Sequence, residues 1–298
     1  MEKIRIGTRA SRLALWQANF VAQKLSENFP VELVKIQTTG DKILDAPLTK
    51  IGGKGLFTKE IENALAAGKI DLAVHSLKDV PSELPAGFEI AAITQRENPF
   101  DAFVSNKFNS LAEIPSGGVI GTSSLRRAAQ ILNLRPDLKI ENLRGNVDTR
   151  LKKLDAGNFD AVILAAAGLE RLGYGSRIRE ILTEIIPAAG QGALAIEIRA
   201  GDEKIRAAVK VLHDEKTSAA VKIERDFLRK IGGGCQIPVG VFAEVGEKIS
   251  VRSVIASVDG KKILRDSAEN IDGETFAEKM LAAGGQKILR LDFDLGFN

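Results

Sequence analysis

The chain has 298 residues, 44% hydrophobic and 27% charged, and its acidic and basic side chains nearly cancel to leave +3. That is apolar material for two or three cored domains at roughly 100–200 residues each, and the small net charge excludes a bulk attraction to polyanions or anionic membranes. One cysteine excludes an internal disulfide, and with only two histidines beside it no metal site is expected and a reducing compartment is.

The opening run Met1-Glu2-Lys3-Ile4-Arg5-Ile6 passes straight into strand-like alternation, so no leader is expected. No stretch approaches the ~18 uninterrupted apolar residues of a membrane span, and the expectation is a soluble, cytoplasmic protein without a membrane partner. In chain order, strands are predicted at 3–7, 31–38, 71–75, 119–121, 139–143 and 160–164. Helices are predicted at 11–28, 56–67, 124–133, 147–156 and 204–213. Such alternation is the signature of an α/β protein with parallel or mixed sheets. After a long helix at 218–230 the pattern changes: 239–245, 248–258 and 261–269 read as an antiparallel meander, followed by a helix at 273–283. Glu97-Asn98-Pro99 and Pro187-Ala188-Ala189-Gly190 interrupt the periodic segments as connectors. The expected division is a first lobe of residues 1–96 with 192–215, a second lobe of 97–191, and an α+β C-terminal domain of 216–298. Two lobes joined by paired crossings enclose a cleft, where small ligands bind.

The arginines sit in unusual places. A helix N-terminus carries partial positive charge and unpaired N–H groups, so a basic first turn is unfavourable unless an anion arrives there. Gly7-Thr8-Arg9-Ala10-Ser11-Arg12 ends a strand and opens a helix with Ser11 as cap, and Gly121-Thr122-Ser123-Ser124-Leu125-Arg126-Arg127 repeats the pattern. Leu143-Arg144-Gly145-Asn146, followed by Asp148-Thr149-Arg150, does so a third time. Any one of these arginines alone would pass as solvated surface charge. Three clusters at the carboxyl ends of strands point instead to carboxylates or phosphates held by forked hydrogen bonds. Nucleic acid is disfavoured, because only 5% of residues are aromatic and no continuous basic stripe is present.

In Ala73-Val74-His75-Ser76-Leu77-Lys78-Asp79-Val80-Pro81 an apolar strand stops at a polar run, and Pro81 holds Val80 extended. Asp79 there is either a structural counter-ion or a carboxylate that stabilises a cationic intermediate or shuttles a proton. Cys235 follows Gly232-Gly233-Gly234; a lone cysteine is commonly a small core residue, but three glycines before it make an open loop on which a thiol can be modified. Gly52-Gly53-Lys54-Gly55 fails the phosphate-loop pattern, since Leu48 replaces its first glycine and Gly55 its Ser or Thr. Gly190-Gln191-Gly192-Ala193-Leu194-Ala195 lacks the strand and helix of a dinucleotide fingerprint and reads as a connector.

Together these segments resemble porphobilinogen deaminases over nearly the whole chain. The resemblance is carried by Gly7 to Ser11 with Leu13-Ala14-Leu15-Trp16-Gln17-Ala18, Thr38-Thr39-Gly40-Asp41, Gly53-Lys54-Gly55-Leu56-Phe57 and His75 to Pro81. Further on it is carried by 121–127, 143–150, 167–173, 187–193, Glu224-Arg225 and Gly233 to Pro238. It implies two lobes like periplasmic binding proteins plus a small antiparallel domain, and a dipyrromethane cofactor joined by a thioether to Cys235. Four porphobilinogen molecules would be added in turn, each losing ammonia to give an electron-poor azafulvene, before hydrolysis releases hydroxymethylbilane. Asp79 matches the catalytic aspartate. Arg9, Ser11, Lys78, Ser124, Arg126, Arg127, Arg144, Arg150 and Arg171, and with them Lys54, match residues that bind acetate and propionate groups of cofactor and substrate. Each pyrrole carries two carboxylates, which accounts for so many cationic forks. A monomer is expected. Leu77 stands where many relatives have Met, a volume-conserving change, and 286–298 matches nothing in the family. Two rival functions remain: a non-catalytic two-lobed anion-binding protein, and a hydrolase using Cys235 with His75 or His213 as base.

Overall fold

The computed structural model describes residues 3–42, 58–232 and 237–294. The first strand, β1 (Ile4–Thr8), runs into helix α1 (Arg12–Leu25), whose cap Ser11 accepts from the Ala14 N–H. Ala14, Gln17, Ala18, Val21 and Leu25 are its buried positions, the three-and-four spacing of one helix face. β2 (Val31–Lys35), a single turn α2 (Thr39–Lys42), α3 (Lys59–Ala66), β3 (Leu72–Ser76) and β4 (Phe88–Ile93) follow. The chain then crosses to a second sheet with β5 (Asp101–Val104).

β6 (Val119–Gly121), α4 (Leu125–Leu134), β7 (Lys139–Glu141), α5 (Val147–Asp155), β8 (Ala161–Ala165), α6 (Ala166–Arg171) and β9 (Ile178–Leu182) complete that part. A return crossing leads to β10 (Leu194–Arg199) and α7 (Glu203–Val209). The two sheets are built alike: one has the order β2-β1-β3-β10-β4, the other β7-β6-β8-β5-β9. In the first, β1 pairs parallel with β2 and β3 while β10 runs antiparallel to β3 and β4; in the second, β6 pairs parallel with β7 and β8 while β5 runs antiparallel to β8 and β9. Each crossing therefore delivers one reversed strand into the heart of a sheet, and both sheets are mixed.

Where the crossings pass each other there is no room for a side chain. Gly192 has φ 95°, and a Cβ on it would lie 2.5 Å from the Glu97 carbonyl oxygen.

The last part is helix α8 (Glu215–Ile231), the antiparallel meander β11 (Val239–Val245), β12 (Ile249–Ala256) and β13 (Ile263–Glu269), and helices α9 (Gly273–Met280) and α10 (Gln286–Asp294). Phe227, Val241, Ile255, Phe276 and Met280 are fully or almost fully buried in its core. Among the described residues no helix is long and apolar enough to cross a membrane.

Several predicted elements move by a few residues. The helix expected at 218–230 starts earlier, at Glu215, because Asp214 rather than Ser218 caps it by accepting from the Thr217 N–H. The helix expected at 273–283 ends at Met280 and passes through a distorted turn, Leu281–Gly285, in which Gly284 has φ 116°. β4, β5, β9, β10 and α6 went unpredicted, and the segment read as a connector at 190–195 becomes strand at Leu194.

Candidate active site

β3 ends at Ser76 and the chain makes one tight turn, Leu77–Asp79, before Val80 returns to extended backbone ahead of Pro81. Leu77 anchors the turn: it is 1% exposed among Val80, Ala193, Ala195 and Val221, and its N–H donates to the Ala193 carbonyl at 3.0 Å. From α8, Arg225 holds the following residues, donating to the carbonyls of Val80 (3.2 Å), Pro81 (2.6 Å) and Ser82 (3.2 Å). The consequence is a fixed Lys78, half-buried, and an exposed Asp79 beside it.

In the part of the chain built on the second sheet, Ser124 caps α4 by accepting from the Arg127 N–H at 3.4 Å. Arg126 and Arg127 in that first turn fold inward and are buried. Arg126 Nη1 donates to Asp101 Oδ2 and to the Ile186 carbonyl, both at 2.8 Å. Arg127 reaches Asp101 Oδ1 through Nε (3.0 Å) and Nη2 (2.7 Å), and the Ile163 carbonyl through Nη1 (3.0 Å). Burial alone would raise the Asp101 pKa, but the charges of Arg126 and Arg127 hold it far below the usual carboxylate range.

Arg144 and Arg150 come from either side of the β7–α5 turn, where Gly145 has φ 109° and its carbonyl accepts from Arg150 Nε at 2.7 Å. Burial pushes the Arg150 pKa down to about 10, the charges of Arg127 and Arg144 push the same way, and Asp79 opposes them. Lys78 is pushed down to about 8, first by burial; Asp79 and Asp101 favour its ammonium while Arg127 and Arg126 disfavour it. Lys78 thus lies within electrostatic reach of Arg126 and Arg127, and Asp79 within reach of Arg150, which Arg144 also neighbours.

The remaining predicted residues are placed differently. Arg9 is half-buried just after β1, at the same end of the sheet as Lys78, since β1 and β3 are parallel neighbours. Ser11 sits beside it, its oxygen engaged as the α1 cap. Arg171 lies at the lobe junction: its Nη2 donates to the Gly192 carbonyl at 2.7 Å, its Nε is 2.9 Å from Glu97 Oε2, and its guanidinium stacks 5.6 Å from the Trp16 ring centroid. Lys54 and Cys235 lie outside the described residues.

Two residues of this cluster escaped sequence reasoning, Asp101 and Gln191. Gln191 Oε1 accepts from Lys78 Nζ at 3.2 Å, and its Nε2 donates to Asp101 Oδ1 at 2.9 Å and to the Pro99 carbonyl at 2.7 Å. An acidic residue opening an apolar strand, and an amide between two glycines, were the available signals. Neither histidine is set up as a base for a thiol. His75 is buried with Nε2 2.8 Å from Glu197 Oε2, and His213 Nδ1 accepts from the Ile93 N–H at 3.2 Å.

Five cations and two carboxylates in one partly desolvated cluster can grip several carboxylate groups at once and steady a positive charge that forms beside Asp79. Comparison with known proteins points the same way. Residues 4–207 match the family described as porphobilinogen deaminase, dipyromethane cofactor binding domain, and residues 218–282 match porphobilinogen deaminase, C-terminal domain. The chain is 50% identical to a porphobilinogen deaminase of Thiobacillus denitrificans, over 97% of this chain and 98% of that one. It is 49% identical to a porphobilinogen deaminase of Maridesulfovibrio salexigens, over 99% of both. Among solved structures, a periplasmic substrate-binding protein of an ABC transporter from Coxiella burnetii matches with TM-score 0.47 and 16% identity, over 72% of this chain and 94% of that one.

Proposed function

The chain belongs to the porphobilinogen deaminase family, and from that premise we propose how its own residues divide the work of the reaction. It is a transferase that deaminates porphobilinogen and joins four molecules head to tail on an enzyme-bound dipyrromethane, releasing hydroxymethylbilane for tetrapyrrole synthesis. The cofactor is attached through Cys235, the single cysteine of the chain.

The charge balance of the cleft fits that group. Lys78 and Arg150 hold their protons less firmly than in water because burial and like charges crowd them, so a ligand rich in carboxylates relieves the site where a neutral one would not. Lys78, Ser124, Arg126, Arg127 and Arg150 hold the acetate and propionate groups of the two cofactor rings, while Asp79 meets the rings themselves rather than their acid groups. Arg9, Ser11, Arg144, Arg150 and Lys54 hold those of the incoming porphobilinogen, Lys78 is shared between cofactor and substrate, and Arg171 contributes from the junction edge. When bound, the dipyrromethane supplies the free α-carbon from which the product grows.

Asp79 is the catalytic residue. Loss of ammonia leaves positive charge on the substrate ring, and a carboxylate fixed at the turn after β3 stabilises it without having to reorganise. The same carboxylate can take the α-proton once the new carbon–carbon bond has formed. Arg150 lies within electrostatic reach of it and offers the substrate's acid groups a cationic partner of their own. The observation that carries this assignment is the approach of Asp79 and Lys78, from one lobe, to Arg127 and Arg150, from the other.

The domain division is 1–96 with 192–215, 97–191 and 216–298, the third domain carrying the cofactor cysteine. One chain carries both lobes and the thiol, which supports a monomer. The near-neutral charge supports a protein without a nucleic-acid partner, and a single cysteine, which can form no internal disulfide, supports a cytoplasmic setting. Intact-protein and peptide mass spectrometry test the assignment: the peptide containing Cys235 should carry the mass of two linked pyrroles, and Cys235→Ser protein should carry none. A bare thiol in turning-over enzyme refutes it.

A further inference from the structure

β5 opens on Asp101, which is completely buried, and its carboxylate gathers contacts from two separate parts of the chain, α4 and the return crossing. Its Oδ2 accepts from Arg126 Nη1 at 2.8 Å; its Oδ1 accepts from Arg127 Nε at 3.0 Å, Arg127 Nη2 at 2.7 Å and Gln191 Nε2 at 2.9 Å. Gln191, on the return crossing, passes the contact on by accepting from Lys78 Nζ at 3.2 Å. A guanidinium is a rigid planar fork, so fixing its inner edge fixes the direction in which its outer edge points. One carboxylate therefore sets the aim of two forks in the second lobe and, through one amide, the position of an ammonium in the first.

A mere counter-ion would need only to be near. Asp101 instead uses both oxygens in directed hydrogen bonds, and it stands where the chain has just crossed between lobes, two residues after Pro99, whose carbonyl also binds Gln191. We propose that Asp101 is a positioning residue for the condensation: it aims Arg126 and Arg127 at the pyrrole carboxylates and, through Gln191, seats Lys78 beside Asp79. This rests on Lys78, Arg126 and Arg127 being the carboxylate grip.

The groups around Lys78 give the role a readout distinct from folding. Asp79 on its own turn and Asp101 on β5 favour its ammonium, while Arg126 and Arg127 on α4 oppose it. Replacing Asp101 by a neutral amide removes one favourable charge, so Lys78 loses its proton at lower pH. The alkaline limb of kcat/KM then moves in the acid direction, by on the order of one pH unit.

The test uses Asp101→Asn holoenzyme beside parent, Lys78→Met and Arg127→Leu, with cofactor content read by mass and kcat/KM followed across the Lys78 pKa of about 8. The expected result for Asp101→Asn is KM for porphobilinogen raised about tenfold on the acid side, with the alkaline limb displaced to lower pH. A folded Asp101→Asn holoenzyme with the parent's KM and an unmoved limb overturns the proposal. Should that variant not fold, Gln191→Met keeps the Asp101–arginine contacts and removes the amide that joins Asp101 and the Pro99 carbonyl to Lys78; its limb should move the same way, and an unmoved limb overturns the proposal. Parent-like KM and cofactor content in both Lys78→Met and Arg127→Leu would remove the grip itself, and the positioning role with it.

Discussion

Glu224 on α8 is the point where the C-terminal domain is tied to the crossings, and replacing it with alanine should be among the costliest single changes in the chain. Its carboxylate is fully buried and accepts from Arg96 Nη1 (2.6 Å) and Nη2 (3.1 Å), the Gly190 N–H (2.6 Å) and the Ala243 N–H (2.9 Å). Arg96 lies on the outward crossing, Gly190 on the return crossing and Ala243 in β11, so one side chain joins three segments. Glu224→Ala strands a largely buried guanidinium and two backbone N–H groups. Breaking such a pair costs about 3–5 kcal/mol, a large share of the ~5–15 kcal/mol that holds a typical protein folded. At roughly 2–4 °C per kcal/mol the melting temperature should fall by roughly 6–20 °C. Urea and thermal melts of holoenzyme measure it, with Lys3→Met as control: the Lys3–Glu32 pair, 57% and 49% exposed, should contribute less than about 1 kcal/mol. The double variant Arg96→Met with Glu224→Leu should recover only part of the loss, since the Gly190 and Ala243 N–H groups remain without their acceptor. A Glu224→Ala protein within about 1 kcal/mol of the parent would refute this account of the junction.

Asp79→Ala should keep its covalent pyrroles, because the grip lies in the cations, yet lose turnover by at least about a hundredfold; full activity would remove the catalytic assignment. Porphobilinogen binding should weaken as pH rises through about 8, where Lys78 loses its proton; one unit higher about a tenth of the ammonium remains, and a KM that stays flat from neutral pH upward would exclude Lys78 from the grip. Gly192→Ala should destabilise the holoenzyme by about 2 kcal/mol or more, because its backbone is left-handed and the new Cβ meets the Glu97 carbonyl; an unchanged melt would show that the crossings can part without cost.

The parallel strands were legible in the sequence as short β-rich runs, two of which lead straight to a hydroxyl cap and a helix, at Gly7 to Ser11 and Gly121 to Ser124. The strands missed, β4, β5, β9 and β10, all lie in the antiparallel half of a sheet. β5 has only four residues and opens on a charge, while β9, Ile178-Arg179-Glu180-Ile181-Leu182, carries its apolar residues at helical spacing. Their pairing depends on the chain changing sheets, which no local pattern announces. The same holds for the site. The basic first turns could be read from Ser124 and Arg127 alone, whereas Asp101 is 26 residues from Arg127 and 90 from Gln191, and becomes their partner only after both crossings are made.

The direction of each cation's shift separates the structural pairs from the site. Arg5, Arg135, Arg206 and Arg229 all have raised pKa values, each first through a hydrogen bond to a carboxylate on the surface. Arg225 and Arg265 are lowered by burial, but their donors meet backbone carbonyls and hold loops. Arg150 and Lys78 are lowered too, and both stand beside other cations in the cleft. Carboxylates that arrive there raise the Lys78 pKa above about 8, so binding near that pH must take up protons from solution. Titrating porphobilinogen into Cys235→Ser protein near pH 8 isolates binding from turnover, because without tethered pyrroles no carboxylate of the cofactor has already met Lys78. The calorimetric enthalpy should therefore differ between buffers of high and low ionisation enthalpy by an amount equivalent to up to about one proton per site. An enthalpy independent of the buffer would mean that Lys78 does not meet the substrate's acid groups.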